Sequence, residues 1–127
     1  MYLDTDIILA LIKDDDWLKQ YVDIDKLHPA KTSTFTILEA RIVLQREYSR
    51  EIALDVLSNV RSLKIDILEI DEKIISKSQE LIERYSKLNM FDAVHAACAI
   101  VNNEILVGTD NVFNSIEEVD NKDPRGL

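Results

Sequence analysis

The sequence predicts an α/β domain with a mainly parallel sheet and helices on both faces. Three observations carry that reading. Short apolar runs of strand length alternate with longer segments of helical periodicity. Only 2 Gly and 2 Pro occur, too few for a fold built from tight turns. Hydrophobic residues make up 46% of 127, enough for one buried core in a single domain over residues 1–127.

Tyr2-Leu3-Asp4 reads as a short strand. It runs at once into Ile7-Ile8-Leu9-Ala10-Leu11-Ile12, a buried helix with Asp4, Thr5 or Asp6 as its N-cap. Asp14-Asp15-Asp16 opens a second helical stretch carrying Trp17, Leu18 and Tyr21, and acids suit such a first turn. His28-Pro29 breaks the chain. Residues 30–33 form a brief strand, and a helix follows from Thr34 or Thr36 to about Tyr48. Ser49 restarts a helix through Ala53, Val56, Leu57 and Val60. Ile65, Ile67 and Leu68 mark a strand. Residues 71–88 are amphipathic, with Ile74, Ile75, Leu81, Ile82, Tyr85 and Leu88 on one face. Residues 92–101 are apolar nearly all round, so that helix is central. Ile105-Leu106-Val107 is a buried strand ending at Gly108-Thr109-Asp110. A polar tail begins at about residue 117, with a weak fifth strand near Val119.

Composition excludes several classes. The formal charge of −9, from 24 acids and 15 bases, repels phosphate backbones at long range and argues against a non-specific nucleic-acid coat. A bound cation inverts that field locally, so an enzyme acting on a phosphodiester remains open. The single Cys98 rules out an intramolecular disulfide and multi-Cys zinc sites, and it suits a reducing cytoplasm. No apolar run approaches the ~20 residues of a membrane span, and no signal peptide is visible.

Most acids sit on amphipathic faces, but four do not. Asp4 and Asp110 each follow an apolar strand, so both emerge at the carboxyl edge of the sheet, where α/β sites lie. Asp92 opens the most apolar helix, and Glu39 lies among Phe35, Ile37, Leu38, Ile42 and Val43. Each alone reads as a cap or half of an ion pair. Burying several carboxylates together costs several kcal/mol per ion, roughly, and a hard divalent cation such as Mg²⁺ or Mn²⁺ is the simplest neutraliser.

Four segments carry a family likeness: residues 2–10 (YLDTDIILA), 33–39 (STFTILE), 91–99 (FDAVHAACA) and 106–113 (LVGTDNVF). In this order they resemble the motifs of PIN-domain nucleases, and among these the VapC-type toxins of toxin–antitoxin pairs. The resemblance spans nearly the whole chain. It implies a PIN-like three-layer α/β/α sandwich with four or five short strands. It implies an acidic site of Asp4, Glu39, Asp92 and Asp110, and hydrolysis of RNA assisted by Mg²⁺ or Mn²⁺. It also implies a homodimer held inactive by a small antitoxin. Asp4, Asp92 and Asp110 are the expected metal ligands, and Glu39 would orient or deprotonate the attacking water. The chain departs from the family at Asp6, where Asn or Ser is common; Asp6 either adds a carboxylate or caps the helix, and Asp is a strong cap.

The remaining polar residues read more plainly. Thr109 either fixes Asp110 or touches phosphate, or is a turn hydroxyl. His95 follows Asp92 by three on the same helix face and reads as a core histidine bonded to a neighbour. Cys98 reads as packing. Lys13, Arg41, Arg46 and Lys87 are candidate backbone contacts that also fit ordinary surface bases. Two rivals stand beside the nuclease. Asp4-Thr5-Asp6 fits the start of a HAD-like aspartyl-phosphate phosphatase, with Asp4 as nucleophile and Asp6 as acid, but the later motifs are missing. A non-catalytic PIN-like or receiver-like module fits the length and acidity, but its acceptor Asp55 falls on a helix.

Overall fold

In the computed structural model, which describes residues 1–127, five strands lie in the order β3-β2-β1-β4-β5. They are β1 (Tyr2–Leu3), β2 (Lys31–Ser33), β3 (Asp66–Leu68), β4 (Leu106–Val107) and β5 (Asn121–Lys122), and every pairing is parallel. Parallel neighbours need crossover connections; a 3₁₀ turn at Asn111–Ser115 joins β4 to β5, and α-helices supply the rest. These are α1 (Thr5–Ile12), α2 (Ile24–Leu27), α3 (Thr34–Glu47), α4 (Arg50–Leu54), α5 (Val56–Ser62), α6 (Glu72–Arg84) and α7 (Met90–Val101).

Strands this short suffice because successive side chains leave a strand on opposite faces. Tyr2 and Leu106 pack into one core with Ala93, Ala96, Ala97 and Phe113, under α6 and α7. Leu3 and Val107 pack into the other with Ile7, Ile8, Ile37, Leu44 and Val56. The sheet is therefore the middle of three layers, as expected. No helix is long and apolar enough to cross a membrane.

Several elements differ from the sequence reading. The Asp14–Asp16 stretch is not a helix: Asp16 accepts from the Leu18 N–H at 2.9 Å, and only a single 3₁₀ turn follows at Lys19–Tyr21. The stretch after Ser49 is two helices, because Asp55 both ends α4 and begins α5. The helix from residue 71 stops at Arg84; Tyr85 turns extended, and Leu88 is buried from the following turn rather than from the helix. α7 begins at Met90, with Asn89 as N-cap, so Asp92 sits in its first turn instead of opening it. The fifth strand forms at Asn121–Lys122, beyond Val119, and the tail closes with Pro124 buried.

The register places the site. Leu3 pairs with Val107, so the next residues, Asp4 and Gly108, leave the sheet side by side. Connections from β1 lead to one side and those from β4 to the other. Ligands of open parallel sheets bind at this kind of switch point, beyond the strand ends. At the opposite edge Glu104 is neutralised locally, by Lys31 at 2.5 Å and the Met1 ammonium at 3.0 Å. At the carboxyl edge no Lys or Arg forms such a pair with Asp4, Asp92 or Asp110.

Candidate active site

Asp4 is the N-cap of α1, and its Oδ1 accepts from the Ile7 N–H at 3.3 Å. It is only 5% exposed. Burial pushes its carboxyl well above the ordinary range, and the charges of Asp6 and Asp92 add to the rise. Only backbone N–H groups oppose the shift; no cationic side chain does. Asp6 is not the cap expected of it. It lies in the first turn of α1 at the rim of the cleft. Partial burial and the charges of Glu39, Asp110 and Asp16 raise its carboxyl, with His95 opposing.

Asp92 exchanges two hydrogen bonds with Asn89. Its N–H donates to Asn89 Oδ1 at 2.8 Å, and Asn89 Nδ2 donates to its Oδ2 at 2.9 Å. The pair is a variant of the capping box. Burial and then Asp110 raise the Asp92 carboxyl, and Glu39 adds to the rise. Asp110 follows β4 and caps the 3₁₀ turn Asn111–Ser115, accepting from the Val112 N–H at 3.0 Å. Thr109 is partly buried and lines a small cavity of about 120 Å³ with Asp6, Leu9, Asp16, Trp17 and Leu18.

Glu39 differs from the other acids. Burial alone would raise its carboxyl, but hydrogen bonds from His95 and Thr5, with the charge of His95, hold it below the ordinary value. Thr5 Oγ1 donates to Glu39 Oε1 at 2.7 Å, and His95 Nε2 bonds the same oxygen. His95 is a core histidine, 3% exposed, bonded to its neighbours.

The structure thus brings Asp4, Asp6, Glu39, Asp92 and Asp110 within electrostatic reach of one another at the strand ends. No three of them close on one point at ligating distance. Each of Asp4, Asp92 and Asp110 is held by a local hydrogen bond at the start of a helix or turn. The donor set nevertheless fits a hard cation. It is all oxygen, and Asp4 is buried with no cation of the protein's own. Space is kept open beside Asp4 by Gly108, where any Cβ would approach Asp4 Oδ2 to 2.6 Å.

Sequence reasoning missed three neighbours. Thr5 appeared only as a possible cap, yet it fixes Glu39. Asp16, in an acidic run that reads as surface, pushes on Asp6. Trp17 holds an exposed ring at the cleft with Thr109, and the Arg125 guanidinium lies 5.6 Å from the ring centre. No periodicity signals these, because each contact joins distant elements. Among the candidate bases, Lys13 is taken up by Glu47 at 2.8 Å and Asp16 at 3.7 Å. Arg41 Nε is buried without a partner, while Arg46 and Lys87 are exposed. Cys98 is fully buried, and burial pushes its thiol up to about 11.

Comparison with known proteins bears on the fold. Similar solved structures include VapC20 of Mycobacterium tuberculosis, described as a Sarcin-Ricin loop cleaving toxin. Its TM-score is 0.77 at 16% identity, over 94% of this chain and 96% of that one. DNA-bound VapBC from Salmonella typhimurium gives a TM-score of 0.76 at 18% identity, covering 97% and 96%. A toxin–antitoxin complex from Klebsiella pneumoniae gives 0.71 at 22% identity, covering 97% and 96%. At these identities the likeness is one of fold. No curated protein matches the chain in sequence. The family model described as PIN domain matches residues 1–119, and the chain therefore belongs to the PIN domain family.

Proposed function

We propose that this chain is a divalent-cation-dependent endoribonuclease and the toxin of a toxin–antitoxin pair. The observation that carries the reading is Asp4. It is a carboxylate 5% exposed at the switch point of a PIN fold, pressed by Asp6 and Asp92, with no protein cation beside it. A buried charge in that setting is costly unless a ligand pairs with it. The described roles of the similar structures, a cleaving toxin and toxin–antitoxin complexes, support the same reading.

Asp4 and Asp110 would hold the cation, with Asp92 as a further ligand or an outer partner. Bound Mg²⁺ or Mn²⁺ supplies charge neutralisation at the phosphate and a more acidic water. Glu39 stays ionised because its carboxyl is held low, so it acts as an acceptor that orients the attacking water. Thr109, the residue before Asp110, offers a hydroxyl in the small cavity it shares with Asp6. Water as nucleophile does not require the 2′-hydroxyl, so a preference for RNA must come from contacts beyond the acids.

The acidic basin also suits an inhibitor. An Arg or Lys of a small antitoxin would find several carboxylate acceptors there. Leu38 and Ile42, 55% and 64% exposed one turn apart on α3, offer an apolar stripe to a second copy of the chain. A cytoplasmic location fits action on RNA.

The test is incubation of the purified protein with a panel of structured RNAs in Mg²⁺, in Mn²⁺ and in excess chelator. Cleavage confined to the metal samples, leaving 5′-phosphate and 3′-hydroxyl ends, is expected. Cleavage that persists in chelator would sink the mechanism.

A further inference from the structure

We propose that His95 is a positioning residue for Glu39, an imidazole clamp that fixes one carboxylate oxygen and leaves the other for the attacking water. The inference rests on the nuclease reading and goes beyond it. It assigns a role to a buried group that touches no substrate.

A carboxylate at neutral pH only accepts hydrogen bonds, so His95 Nε2 must carry the proton it shares with Glu39 Oε1. That holds whether the ring is neutral or charged. Thr5 Oγ1 gives its own proton to the same Oε1 at 2.7 Å and turns a lone pair toward Nε2 at 3.1 Å. Oε1 is thereby saturated from two elements, α7 and α1, while Glu39 itself belongs to α3. Oε2 is left for solvent or for a water at the acids.

The other side of the ring is tied as firmly. Nδ1 lies 2.7 Å from the Tyr2 hydroxyl, which lies 2.8 Å from Ser33 Oγ. Ser33 is the N-cap of α3, accepting from the Thr36 N–H at 3.2 Å. The network therefore leaves α3 at Glu39, crosses α7 and β1, and returns to the start of α3. One imidazole braces that helix at both ends of its first two turns. The rings of Tyr2 and Phe35 stand 5.8 and 5.3 Å from the imidazole centre, and Phe91 meets Phe35 edge-on at 5.3 Å. A ring so enclosed does not rotate to exchange partners.

Burial separates this role from acid catalysis. His95 is 3% exposed and its two nitrogens are engaged, so it delivers no proton to a leaving oxygen. It differs also from mere core filling, because the hydrogen bonds act on one catalytic oxygen. Misplacing a catalytic group by about 1 Å costs about 100-fold in rate. Partners that orient a site's ligands are worth roughly 10–100-fold.

Two measurements test the clamp, and one needs no activity. Imidazole ¹⁵N spectra of metal-free protein should show Nε2 protonated, with a slowly exchanging proton that shifts in Glu39→Gln. Steady-state cleavage of an RNA the wild type cuts, at saturating Mg²⁺, should show kcat lowered about 10–100-fold in His95→Leu, with KM little changed. His95→Gln, which keeps a donor of similar reach, should recover most of the loss. His95→Asn, polar but too short, should not, and it stands in if the leucine variant does not fold. Within Glu39→Gln, His95→Leu should cost nothing further, since the histidine acts only through Glu39. The clamp is overturned by an unprotonated Nε2, by full kcat in a folded His95→Leu or His95→Asn, or by losses that multiply in the double variant. If wild-type protein cleaves no RNA, the nuclease reading fails by itself. Without the Nε2 proton and its response to Glu39→Gln, the clamp fails whatever the activity.

Discussion

Gly108 stands so close to Asp4 that a Cβ at residue 108 would meet Asp4 Oδ2 at 2.6 Å and Cγ at 3.1 Å. The parallel register of β1 and β4 forces this approach, since Leu3 and Val107 are partners and the next residues diverge from the same edge. A glycine here preserves the room that the buried Asp4 carboxylate needs.

Gly108→Ala is therefore expected to turn Asp4 away from its cap on Ile7. Overpacking of this kind costs about 1–3 kcal/mol. The melting temperature should fall by several degrees, and cleavage should fall more than tenfold. Thermal melts and initial rates of one preparation check both. Unchanged melting with unchanged rate would show that Asp4 tolerates displacement.

The acids set the pH dependence of the metal-free protein. Asp4, Asp6 and Asp92 are raised, so their folded forms bind more protons than the unfolded chain. Stability from these groups falls as pH rises from the unfolded carboxylate range, near ~4, through the raised values. Glu39 is lowered and works oppositely, giving stability above its unfolded value that is lost as pH falls. Glu39 and the other lowered carboxyls, Asp15, Glu104 and Asp123, are ionised in both states above about pH 5 and add no slope there, so the melting temperature in chelator should decline as pH rises from about 5 through the raised values of Asp4, Asp6 and Asp92. Asp4→Asn keeps a side chain able to cap α1 but removes the charge, so it should melt higher than wild type in chelator at pH 7. Relief of about 1 kcal/mol corresponds to roughly 3–5 °C. A lower melting temperature for Asp4→Asn would mean that the carboxylate is stabilising where it lies.

Much of this was legible in the sequence. The strand-to-helix junctions at Asp4 and Asp110 are contiguous along the chain, so local pattern exposed them. The dense apolar run of 93–101 marked α7 as central for the same reason. What the pattern could not give was cross-chain bonding. The sequence pattern opens α7 at Asp92, yet Asn89 caps that helix, because an Asn three residues earlier competes as well as an Asp. Asp4, Thr5 and Asp6 all fit the N-cap of α1 in the sequence; the strand ends at Leu3, so Asp4 takes that place. The bonds of Glu39 to Thr5 and His95 join residues 34 and 56 positions apart, beyond any periodicity.

Asn89 ties Asp92 to the start of α7 through both of its amide atoms. Asn89→Ala should cost about 1 kcal/mol of stability as a lost N-cap. It should also weaken Mn²⁺ binding, by freeing the Asp92 carboxylate from its fixed orientation. Calorimetric titration with Mn²⁺ checks this. Loss of stability with metal affinity unchanged would confine Asn89 to capping.

The exposed stripe on α3 bears on association. Ile42→Glu changes a side chain 64% exposed, so folding should be barely affected. If Leu38 and Ile42 meet a second copy, sedimentation at micromolar concentration should show a dimer for wild type and a monomer for Ile42→Glu. A dimer unaffected by the change would place the contact elsewhere, and a monomeric wild type would contradict the dimer.

In the proposed reaction a cation held at Asp4 drives phosphodiester hydrolysis. The most direct measurement is RNA cleavage by wild type and Asp4→Asn at equal concentration, across a Mn²⁺ titration and in excess chelator, with both shown to be folded by their melts. Wild-type cleavage should saturate with Mn²⁺ and vanish in chelator, and Asp4→Asn should give at most a trace at any Mn²⁺ concentration. Equal cleavage by the two proteins, or wild-type cleavage undiminished in chelator, would contradict it.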